Sequence, residues 1–585
     1  MIARFGVGTV SLGLLVALVA LGAACNFGRE PGDSSMNFCE TDSDCVEGKC
    51  YSNRCAVPPE EHYEIALQII PSIHDSNRAP LSTLISPVRV EEAHQELPLQ
   101  LPPIARVSGR VRFQGSPVPA VLSFIPTSKE HATIQRVEVE TGDPLGDGSV
   151  DYLASLIPEL EYAVELRPTS KPMDAKDAEG QEILGRPASR QLPPIRIGTA
   201  RFDEGTNTFD YEFSGALLEP CTAERRSGCE LRGLIRSEGR HGDPRLPSDI
   251  EIRALETATT RIVSSVDIVR EGEFAIRIAE DAGEFRLQLS PAVGGSPYRA
   301  TLIEGPFDAD GIEDLFIYRY PVVDYEAIVF DSSGMEPIVG ATVVFQSESV
   351  EDPLIGASST SFFRASALTG EDGEGAGVFS LQLQPGTFQV TITPAASSDH
   401  GILITQVEIP DDETTRSIRG QAFILKKRPV LELTVDTFNG LPADNTDVQA
   451  IPLEAAGFIA QELARHARTS QGLTDWDGFL ELPVDVARYE LLMRPAPHTG
   501  FPHALTSSID VTHPGFNQSI GITIPPPAII TGQLRDADGR SLGGATIRAY
   551  HLTSGGKNGG QLRRVGEAFT DDEGRYQLVL PSTPF

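Results

Sequence analysis

The sequence predicts an all-β protein in which tandem β-sandwich domains follow a signal peptide and a small Cys-rich segment. Its 585 residues are too many for one hydrophobic core, so several domains are expected. The chain contains 54 Gly and 44 Pro and no dominant helical pattern, which favours short strands separated by turns. Segments with alternating apolar residues recur five times, roughly every hundred residues, and this spacing suits a small sandwich.

Residues 1–24 are predicted to be a signal peptide. A positively charged start precedes an uncharged apolar run that ends in small residues directly before Cys25. This junction resembles the lipobox of bacterial lipoproteins, although Leu21 lies four residues before the Cys and Gly22 takes the usual Leu position. The resemblance implies that Cys25 is acylated and holds the protein to a lipid bilayer, and Asn26 favours the outer membrane. The alternatives are an ordinary cleaved signal with an incidental Cys, or an uncleaved anchor, although a spanning helix needs ~20 apolar residues.

The other six cysteines form two compact groups, which predicts three disulfides and an oxidising compartment. Zinc binding is the alternative for the group of four, but its spacing lacks the paired CxxC arms of common structural zinc sites. That group lies in a neck, residues 25–59, which is too short for a core of its own and whose disulfide pairing the sequence leaves open. The disulfide candidates are Cys39, Cys45, Cys50 and Cys55 in the neck, and Cys221 and Cys229 farther along the chain.

The chain is strongly acidic, with a formal net charge of -34 at pH 7. This charge argues against nucleic acid or an anionic lipid surface as a partner. The acidic residues are dispersed rather than collected into runs, which favours a solvated surface over a store of cations.

Each repeat opens with a strand, a Gly-containing turn and a second strand, and it closes with two more alternating segments. In the third repeat, residues 377–394 read GVFSLQLQPGTFQVTITP, with Phe379 and Leu383 on one strand and Phe388 and Ile392 on the next. We interpret both the openings and the endings as antiparallel hairpins. The predicted domains are repeat 1 (107–220), repeat 2 (221–322), repeat 3 (323–428), repeat 4 (429–525) and repeat 5 (526–585).

The fifth repeat resembles the carboxypeptidase regulatory-like module in two stretches, ITGQLRDADGRSLGGATIRAY (530–550) and TDDEGRYQLVLP (570–581). The likeness is close there, good in the third repeat and weaker in the other three. It implies transthyretin-like, Ig-like sandwiches that serve as non-catalytic spacers or binding domains, with no fixed ligand site. Where the family continues past the Pro into an aromatic residue and a final strand, this sequence stops at Phe585.

We therefore expect the fifth repeat to be truncated, or to carry an open edge that accepts a strand from a partner. Residues 60–106 are predicted to form a β linker that packs on the first repeat, because the segment from Tyr63 resembles the closing strand of a repeat. One helix is expected over residues 453–468, where apolar residues have near-helical spacing, and a loop insertion is the alternative.

No HExxH, GxSxG or Walker sequence occurs in the mature chain, so we predict no catalytic residues and no cofactor. Imidazoles bind transition metals, so a cluster of histidines is a candidate metal site. His498, His503 and His513 cluster without supporting acidic or Cys ligands. Two acidic groups are similar to calcium loops only in part, because they lack the twelve-residue frame and are better explained as turns. These groups are Asp308, Asp310 and Asp314, and the pair Asp536 and Asp538.

Trp476 is the only Trp in the chain and lies in a turn, Asp475–Gly478. It is either a core residue or an exposed ring that stacks on a sugar. We favour the core and keep Trp476 as a candidate ligand contact.

These observations predict a membrane-anchored extracytoplasmic lipoprotein that acts as a non-catalytic structural or adhesive rod. Its partners would be the bilayer, through Cys25, and an envelope protein or polysaccharide, with the protein in the outer membrane facing the periplasm or the exterior. A polysaccharide-binding surface protein is the alternative, and a non-catalytic part of a larger enzyme is a third hypothesis. Sandwich modules host many functions, so the fold alone does not choose among them.

Overall fold

The structure is a computed structural model, and it describes residues 37–583 with internal gaps. Among the described residues, no helix is long and apolar enough to cross a membrane. The gaps are residues 46, 52, 76–77, 81, 128–135, 142–150, 170–191, 223, 240–243, 292–295, 306, 308–311, 352–358, 371–374, 413–414, 454–460, 507, 514–516 and 553–561.

The described part of the chain begins with the neck and an N-terminal segment of four strands. The neck contains a 3-10 helix (Asp42–Asp44), β1 (Lys49–Tyr51) and β2 (Arg54–Ala56). The N-terminal segment contains β3 (Tyr63–Ile70), a 3-10 helix (Ile73–Asp75), β4 (Thr83–Val90), β5 (His94–Glu96) and β6 (Leu99–Gln100).

Modules 1 and 2 follow. Module 1 contains β7 (Ala105–Gly109), β8 (Val111–Phe113), β9 (Ser116–Pro117), β10 (Ala120–Pro126), β11 (Val137–Thr141), β12 (Tyr152–Leu156), β13 (Glu161–Pro168), β14 (Ile195–Arg201), β15 (Gly205–Thr208), β16 (Tyr211–Phe213) and a 3-10 helix (Gly215–Leu218). Module 2 contains β17 (Glu230–Gly239), β18 (Pro244–Arg245), β19 (Ile250–Glu256), β20 (Asp267–Val269), β21 (Glu273–Arg277), β22 (Phe285–Pro291), β23 (Ala300–Ile303) and β24 (Ile312–Arg319).

Modules 3 and 4 and a C-terminal segment complete the chain. Module 3 contains β25 (Val323–Phe330), β26 (Thr342–Ser347), β27 (Val350–Glu351), β28 (Ser359–Phe362), β29 (Arg364–Leu368), β30 (Val378–Leu383), β31 (Gly386–Thr393), β32 (Leu403–Ile409) and β33 (Ser417–Ile424). Module 4 contains β34 (Val430–Thr437), β35 (Asp447–Leu453), α1 (Gln461–Ala464), β36 (Ser470–Leu473), β37 (Phe479–Pro483), β38 (Ala487–Arg494), a 3-10 helix (Pro497–Thr499), β39 (Ala504–Leu505), β40 (Ile509–Val511) and β41 (Gln518–Ile524). The C-terminal segment contains β42 (Pro527–Arg535), β43 (Thr546–Leu552), β44 (Leu562–Phe569) and β45 (Arg575–Pro581).

Modules 2, 3 and 4 are each built from two sheets and module 1 has a third small sheet, β16-β8-β9, so the chain is all-β with tandem β-sandwich domains behind a disulfide-bonded neck. Module 3 shows the plan, with one sheet in the order β30-β25-β33 and the other in the order β29-β26-β31-β32. The first strand pairs in parallel with the last strand of its module, as β25 does with β33 and β34 with β41. Apolar residues that alternate along the strands fill the space between the two sheets.

The hairpin interpretation of the repeat endings is wrong. In module 3, β30 pairs with β25 while β31 pairs with β26, so the two consecutive strands lie in opposite sheets. Phe379 and Phe388 therefore reach the core from opposite sheets, and the ring centroid of each lies about 6 Å from that of Phe345. The opening of module 3 behaves likewise, because β25 and β26 also belong to different sheets, whereas the openings of modules 1 and 2 do contain short antiparallel hairpins, β8 with β9 and β17 with β18. Alternation marks which residues point inward, and it is equally compatible with either pairing.

The expected placement of residues 60–106 on the first repeat is also wrong. β3 pairs with β43 from Ala66 opposite Tyr550 to Ile70 opposite Thr546, and β5 and β6 pair in parallel with β42. Module 1 has no room for them, because β13 and β11 flank β10, and β12 and β15 flank β7. The N-terminal segment thus takes the positions that β31, β32 and β33 hold in module 3.

We call the sandwich formed by β3–β6 and β42–β45 the split module, because the two ends of the described chain build it together. Its core draws on both segments, with Ile65, Leu67 and Ile69 packed among Ile530, Ile547, Leu578 and other buried residues. This pairing corrects the expectation of a truncated fifth repeat, since the strands that the C-terminal segment lacks come from residues 63–100. The sheet edges that would otherwise be free are covered.

The neck is pinned to module 4 and the split module. Its disulfides are interleaved, joining Cys39 to Cys50 and Cys45 to Cys55, and a third disulfide joins Cys221 to Cys229 in module 2. The backbone N–H of Asn37 donates to Thr499 O of module 4, and that of Val57 donates to Pro527 O of the split module. The neck is therefore packed against the folded domains.

Neighbouring modules touch through specific contacts. The backbone N–H of Ser214 in module 1 donates to Glu280 of module 2. β23 of module 2 pairs with β28 of module 3, which makes one continuous sheet across that junction. Arg563 of the split module forms an ion pair with Glu490 of module 4.

The helix expected over 453–468 is described only as α1, one turn long.

Candidate functional site

Trp476 projects from the turn between β36 and β37 and is 76% exposed. The preference for a core position is therefore wrong. The turn itself is tightly held, because Asp475 Oδ1 accepts hydrogen bonds from the N–H groups of Asp477 (3.0 Å) and Phe479 (2.9 Å). Gly478 has φ +73°, and a Cβ there would lie 2.4 Å from Val435 O. Trp476 lies in a turn and not in a strand, so the alternation of inward and outward side chains along a strand does not predict its orientation.

Thr474, just before this turn, ties it to the module. Its Oγ1 donates to Ala443 O at 2.5 Å and accepts from the N–H of Thr446 at 2.9 Å. The residue is buried, and both hydrogen bonds join the end of β36 to the start of β35. The exposed ring of Trp476 thus stands on a fixed base.

The same buried Thr recurs in module 3 and in the split module. Thr369 Oγ1 donates to Ile338 O, and Thr570 Oγ1 donates to Leu542 O, each at 2.8 Å. In every case the residue before the Thr is a large apolar side chain that faces solvent. These side chains are Leu368 (67% exposed), Leu473 (59%) and Phe569 (65%).

Sequence reasoning missed this series. The signal is present in the sequence as LTG (368–370), LTD (473–475) and FTD (569–571), where a large apolar residue and a Thr precede Gly or Asp. Strand alternation places the Thr inward and the apolar residue outward, which is the reverse of the usual expectation from hydrophobicity. The Thr can be buried because its hydroxyl is satisfied by backbone groups.

Among the described residues, His498, His503 and His513 are not brought together as a group of potential metal ligands. His498 and His513 are exposed, and burial lowers the pKa of His503 to about 4, with Arg494 and Arg564 adding to the effect. In the part of the chain that the structure describes, the only group of three potential ligands is Cys39, Cys45 and Cys55. All three sulfurs are in disulfides.

The acidic turn candidates act as turn residues where the structure describes them. Asp536 Oδ1 accepts from the N–H of Arg540 at 2.8 Å, while Oδ2 accepts from Arg78 of the N-terminal segment. Burial acts to raise the pKa of Asp536, but these hydrogen bonds outweigh it and lower the pKa. Asp538 is exposed and forms an ion pair with Arg540. The remaining candidates lie outside the described residues, namely Cys25, Asp308, Asp310 and the side chain of Asp314.

The junction of modules 3 and 4 holds a buried group of charges. Asp485 accepts from Arg468, with Nε 2.9 Å from Oδ2 and Nη2 2.7 Å from Oδ1, and Arg428 Nε lies 3.5 Å from Oδ1. Arg468 also donates to the carbonyl oxygens of Pro394 and His400 in module 3. Because every partner belongs to the two modules themselves, this group fixes their junction.

No protein-family model matches the chain, and no curated protein matches it. Among solved structures, the chain is similar to the Bacillus anthracis TIE protein at 10% identity, with a TM-score of 0.17 and 69% of this chain and 68% of that chain covered. It is similar to a streptococcal ancillary pilin at 11% identity and a TM-score of 0.19, covering 55% and 99%. It is also similar to GBS52, the minor pilin of Streptococcus agalactiae, at 10% identity and a TM-score of 0.20, covering 34% and 94%. At these scores the likeness assigns no function to this chain.

Proposed function

We propose that this protein is an exported, lipid-anchored, non-catalytic adhesive protein, whose modules belong with the carboxypeptidase regulatory-like sandwiches. Acyl chains on Cys25 would hold it to the outer membrane, and the modules would present a contact surface. Stable anchoring requires more than one lipid chain, which fits a lipoprotein N-terminus.

The observation that carries this proposal is the repeated exposed apolar position. Leu368, Leu473 and Phe569 occupy the same place in three modules that are consecutive along the chain. In module 4, Trp476 adds a second exposed apolar side chain three residues after Leu473. We infer a repeated contact surface from this recurrence of an exposed apolar side chain at one position of the module. Several weak contacts on one molecule add up to strong adhesion without any strong single site.

The anchor is tested by the intact mass and membrane partitioning of the full chain expressed in a Gram-negative host. We expect the mass of a mature chain plus acyl groups, with partitioning into membranes that a Cys25→Ala variant loses. A soluble, unacylated wild-type protein would contradict the anchor and leave a freely secreted binding protein.

Adhesion is tested with lipid vesicles that carry the acylated protein, flowed over a layer of Gram-negative cells. We expect a variant with Leu368→Ser, Leu473→Ser, Trp476→Ala and Phe569→Ser to retain about a tenth or less of the attachment. The control is Met335→Ser, which removes a side chain that is 83% exposed but lies outside the series. Equal attachment by the fourfold variant and the wild type would contradict the proposal.

Polysaccharide binding through Trp476 is the second candidate, and the exposure of this ring favours it. A rigid, solvent-facing indole offers a flat apolar surface for a sugar ring. Affinity for an envelope or plant glycan that Trp476→Ala abolishes would support this candidate, and affinity unchanged by that substitution would remove it.

A further inference from the structure

The outer face of the split-module sheet formed by β45, β42, β5 and β6 carries a polar groove. In β42 and β45, Ile530, Leu534 and Leu578 point into the core, so their neighbours Thr531 and Gln577 point outward. The strand register puts Gln577, Thr531 and Glu96 side by side on three adjacent strands. Hydroxyl, amide and carboxylate groups thus form a row across the sheet.

The neck covers one half of this face and leaves the other half open. Tyr51 stacks on His94 with ring centroids 5.3 Å apart and an interplanar angle of 8°, and Ala56 packs with Ile529. The open half is a groove of about 830 Å³. It is bordered by Pro98 from the N-terminal segment and by Phe569, Asp571 and Arg575 from the C-terminal segment.

The corresponding face differs in modules 3 and 4. Leu534 in the split module, Val329 in module 3 and Val435 in module 4 each donate a backbone N–H to the carbonyl oxygen of the Gly that precedes the paired strand. These equivalent hydrogen bonds align β42, β25 and β34 residue by residue. Three residues earlier stand Thr531 in the split module, Glu326 in module 3 and Glu432 in module 4. Glu432 is already engaged by Ser519 at 2.7 Å and Asn517 at 3.1 Å. The split module alone of these three has an uncharged central residue.

One group in the groove has an unmet hydrogen-bonding capacity. The amide Nε2 of Gln577 is shielded from solvent and has no hydrogen-bond partner within the described residues. Because this atom is shielded, a ligand acceptor reaches it only when the half-buried Gln577 side chain turns toward the groove, and the hydrogen bond then returns the free energy that the unpaired amide costs. Thr531 Oγ1, next to it, lies 2.9 Å from His94 Nε2 and keeps capacity for one more partner.

The chemistry of the lining favours an uncharged, polyhydroxylated ligand. Two guanidinium groups, Arg535 and Arg575, are matched by two carboxylates, Glu96 and Asp571, so the lining has no net charge. Amide, hydroxyl and carboxylate groups hydrogen-bond to sugar hydroxyls, and the exposed ring of Phe569 can cover the apolar face of a sugar. We propose that the split module binds a neutral oligosaccharide in this groove.

This inference deepens the proposed adhesive function and rests on it, because it names a ligand class for the adhesive protein. It places the sugar on the split module and not on Trp476. Since Glu96 and Pro98 come from one end of the chain and the remaining lining residues from the other, the groove is complete only when the two ends are paired. Ligand binding therefore stabilises that pairing.

The test is titration calorimetry of the acylated full chain in detergent micelles against three neutral hexasaccharides, cellohexaose, maltohexaose and mannohexaose. We expect at least one to bind with a Kd below about 1 mM, the range of weak single sites that adhesive proteins multiply. Gln577→Ala and Thr531→Val, both on the solvent face, should each weaken it about fivefold or more, the loss of one hydrogen bond.

Two controls separate this site from others. Gln382→Ala removes an exposed Gln from the corresponding strand of module 3 and should leave the Kd unchanged, as should Trp476→Ala. The proposal is overturned if none of the three sugars binds, or if Trp476→Ala abolishes binding while Gln577→Ala does not. Absent sugar binding together with intact vesicle adhesion would reject this inference and leave the adhesive function standing.

Discussion

Arg78 and Asp536 lie 458 positions apart in the chain and form an ion pair within the split module. Nε and Nη2 of Arg78 donate to Asp536 Oδ2 at 3.0 and 2.8 Å, and Asp536 is almost fully buried. Arg78 also donates to Asp75, its neighbour in the N-terminal segment. The contact ties the turn after β42 to the segment that completes its sandwich.

Replacing Arg78 with Ala should destabilise the split module by about 1–3 kcal/mol, because it leaves a buried carboxylate with fewer partners. The measurement is urea unfolding followed by hydrogen exchange in β42 and β43. Arg89→Ala is the matched control, since its ion pair with Glu64 is exposed on both sides and should contribute less than about 0.5 kcal/mol. Equal effects of the two variants would contradict the role of Arg78.

Asp485→Ala should loosen the junction of modules 3 and 4. It removes the carboxylate between Arg468 and Arg428 and leaves the buried Arg428 without its counterion, at an expected cost of about 3–5 kcal/mol. Limited proteolysis of the full chain should then cut first near residues 395–430. Glu462→Ala, which breaks the exposed pair with Arg465, should leave the proteolysis pattern unchanged. Cleavage at the wild-type rate in Asp485→Ala would argue against this role of the charge group.

His503 predicts a specific pH dependence. Its pKa is lowered from 6.5 to about 4 by burial, and by the positive charges of Arg494 and Arg564, against an opposing influence of Glu567. The unfolded chain therefore binds this proton first as the pH falls, so stability is lost between about pH 6.5 and pH 4. His503→Gln should flatten the fall in unfolding free energy between pH 7 and pH 5. A variant with the wild-type slope would show that other groups produce it.

Alternation along the strands identifies the core but not the pairing. It places Phe379, Leu383, Phe388 and Ile392 inward, and all four are buried in one cluster. It could not show that β30 and β31 cross between sheets, because inward residues on a hairpin and on a crossover follow the same period of two. Pairing depends on contacts between strands that are distant in sequence.

The same limit explains the error over residues 60–106. The likeness of the segment from Tyr63 to a closing strand correctly identifies it as part of a repeat. Proximity in sequence then suggests the first repeat as its partner, whereas its partner β43 lies more than 470 residues away. The incomplete fifth repeat was the complementary signal, because a half sandwich with open edges requires strands from elsewhere.

The exposed apolar series could be predicted from a local sequence pattern, whereas the groove of the split module could not. Leu368, Leu473 and Phe569 share the pattern of a large apolar residue before Thr and a turn residue. Glu96 and Gln577 become neighbours of Thr531 only through the pairing of the two chain ends. No local pattern contains that information.

Hydrogen exchange on the full chain with Leu67→Ala tests most directly whether the two ends of the described chain form one domain. Leu67 is fully buried in the split-module core, and its truncation should cost about 2–5 kcal/mol. Protection should fall together in β3, β42, β43 and β45, while Leu122→Ala in the core of module 1 should affect module 1. Loss of protection in residues 63–101 alone, with β42–β45 unchanged, would contradict the split module.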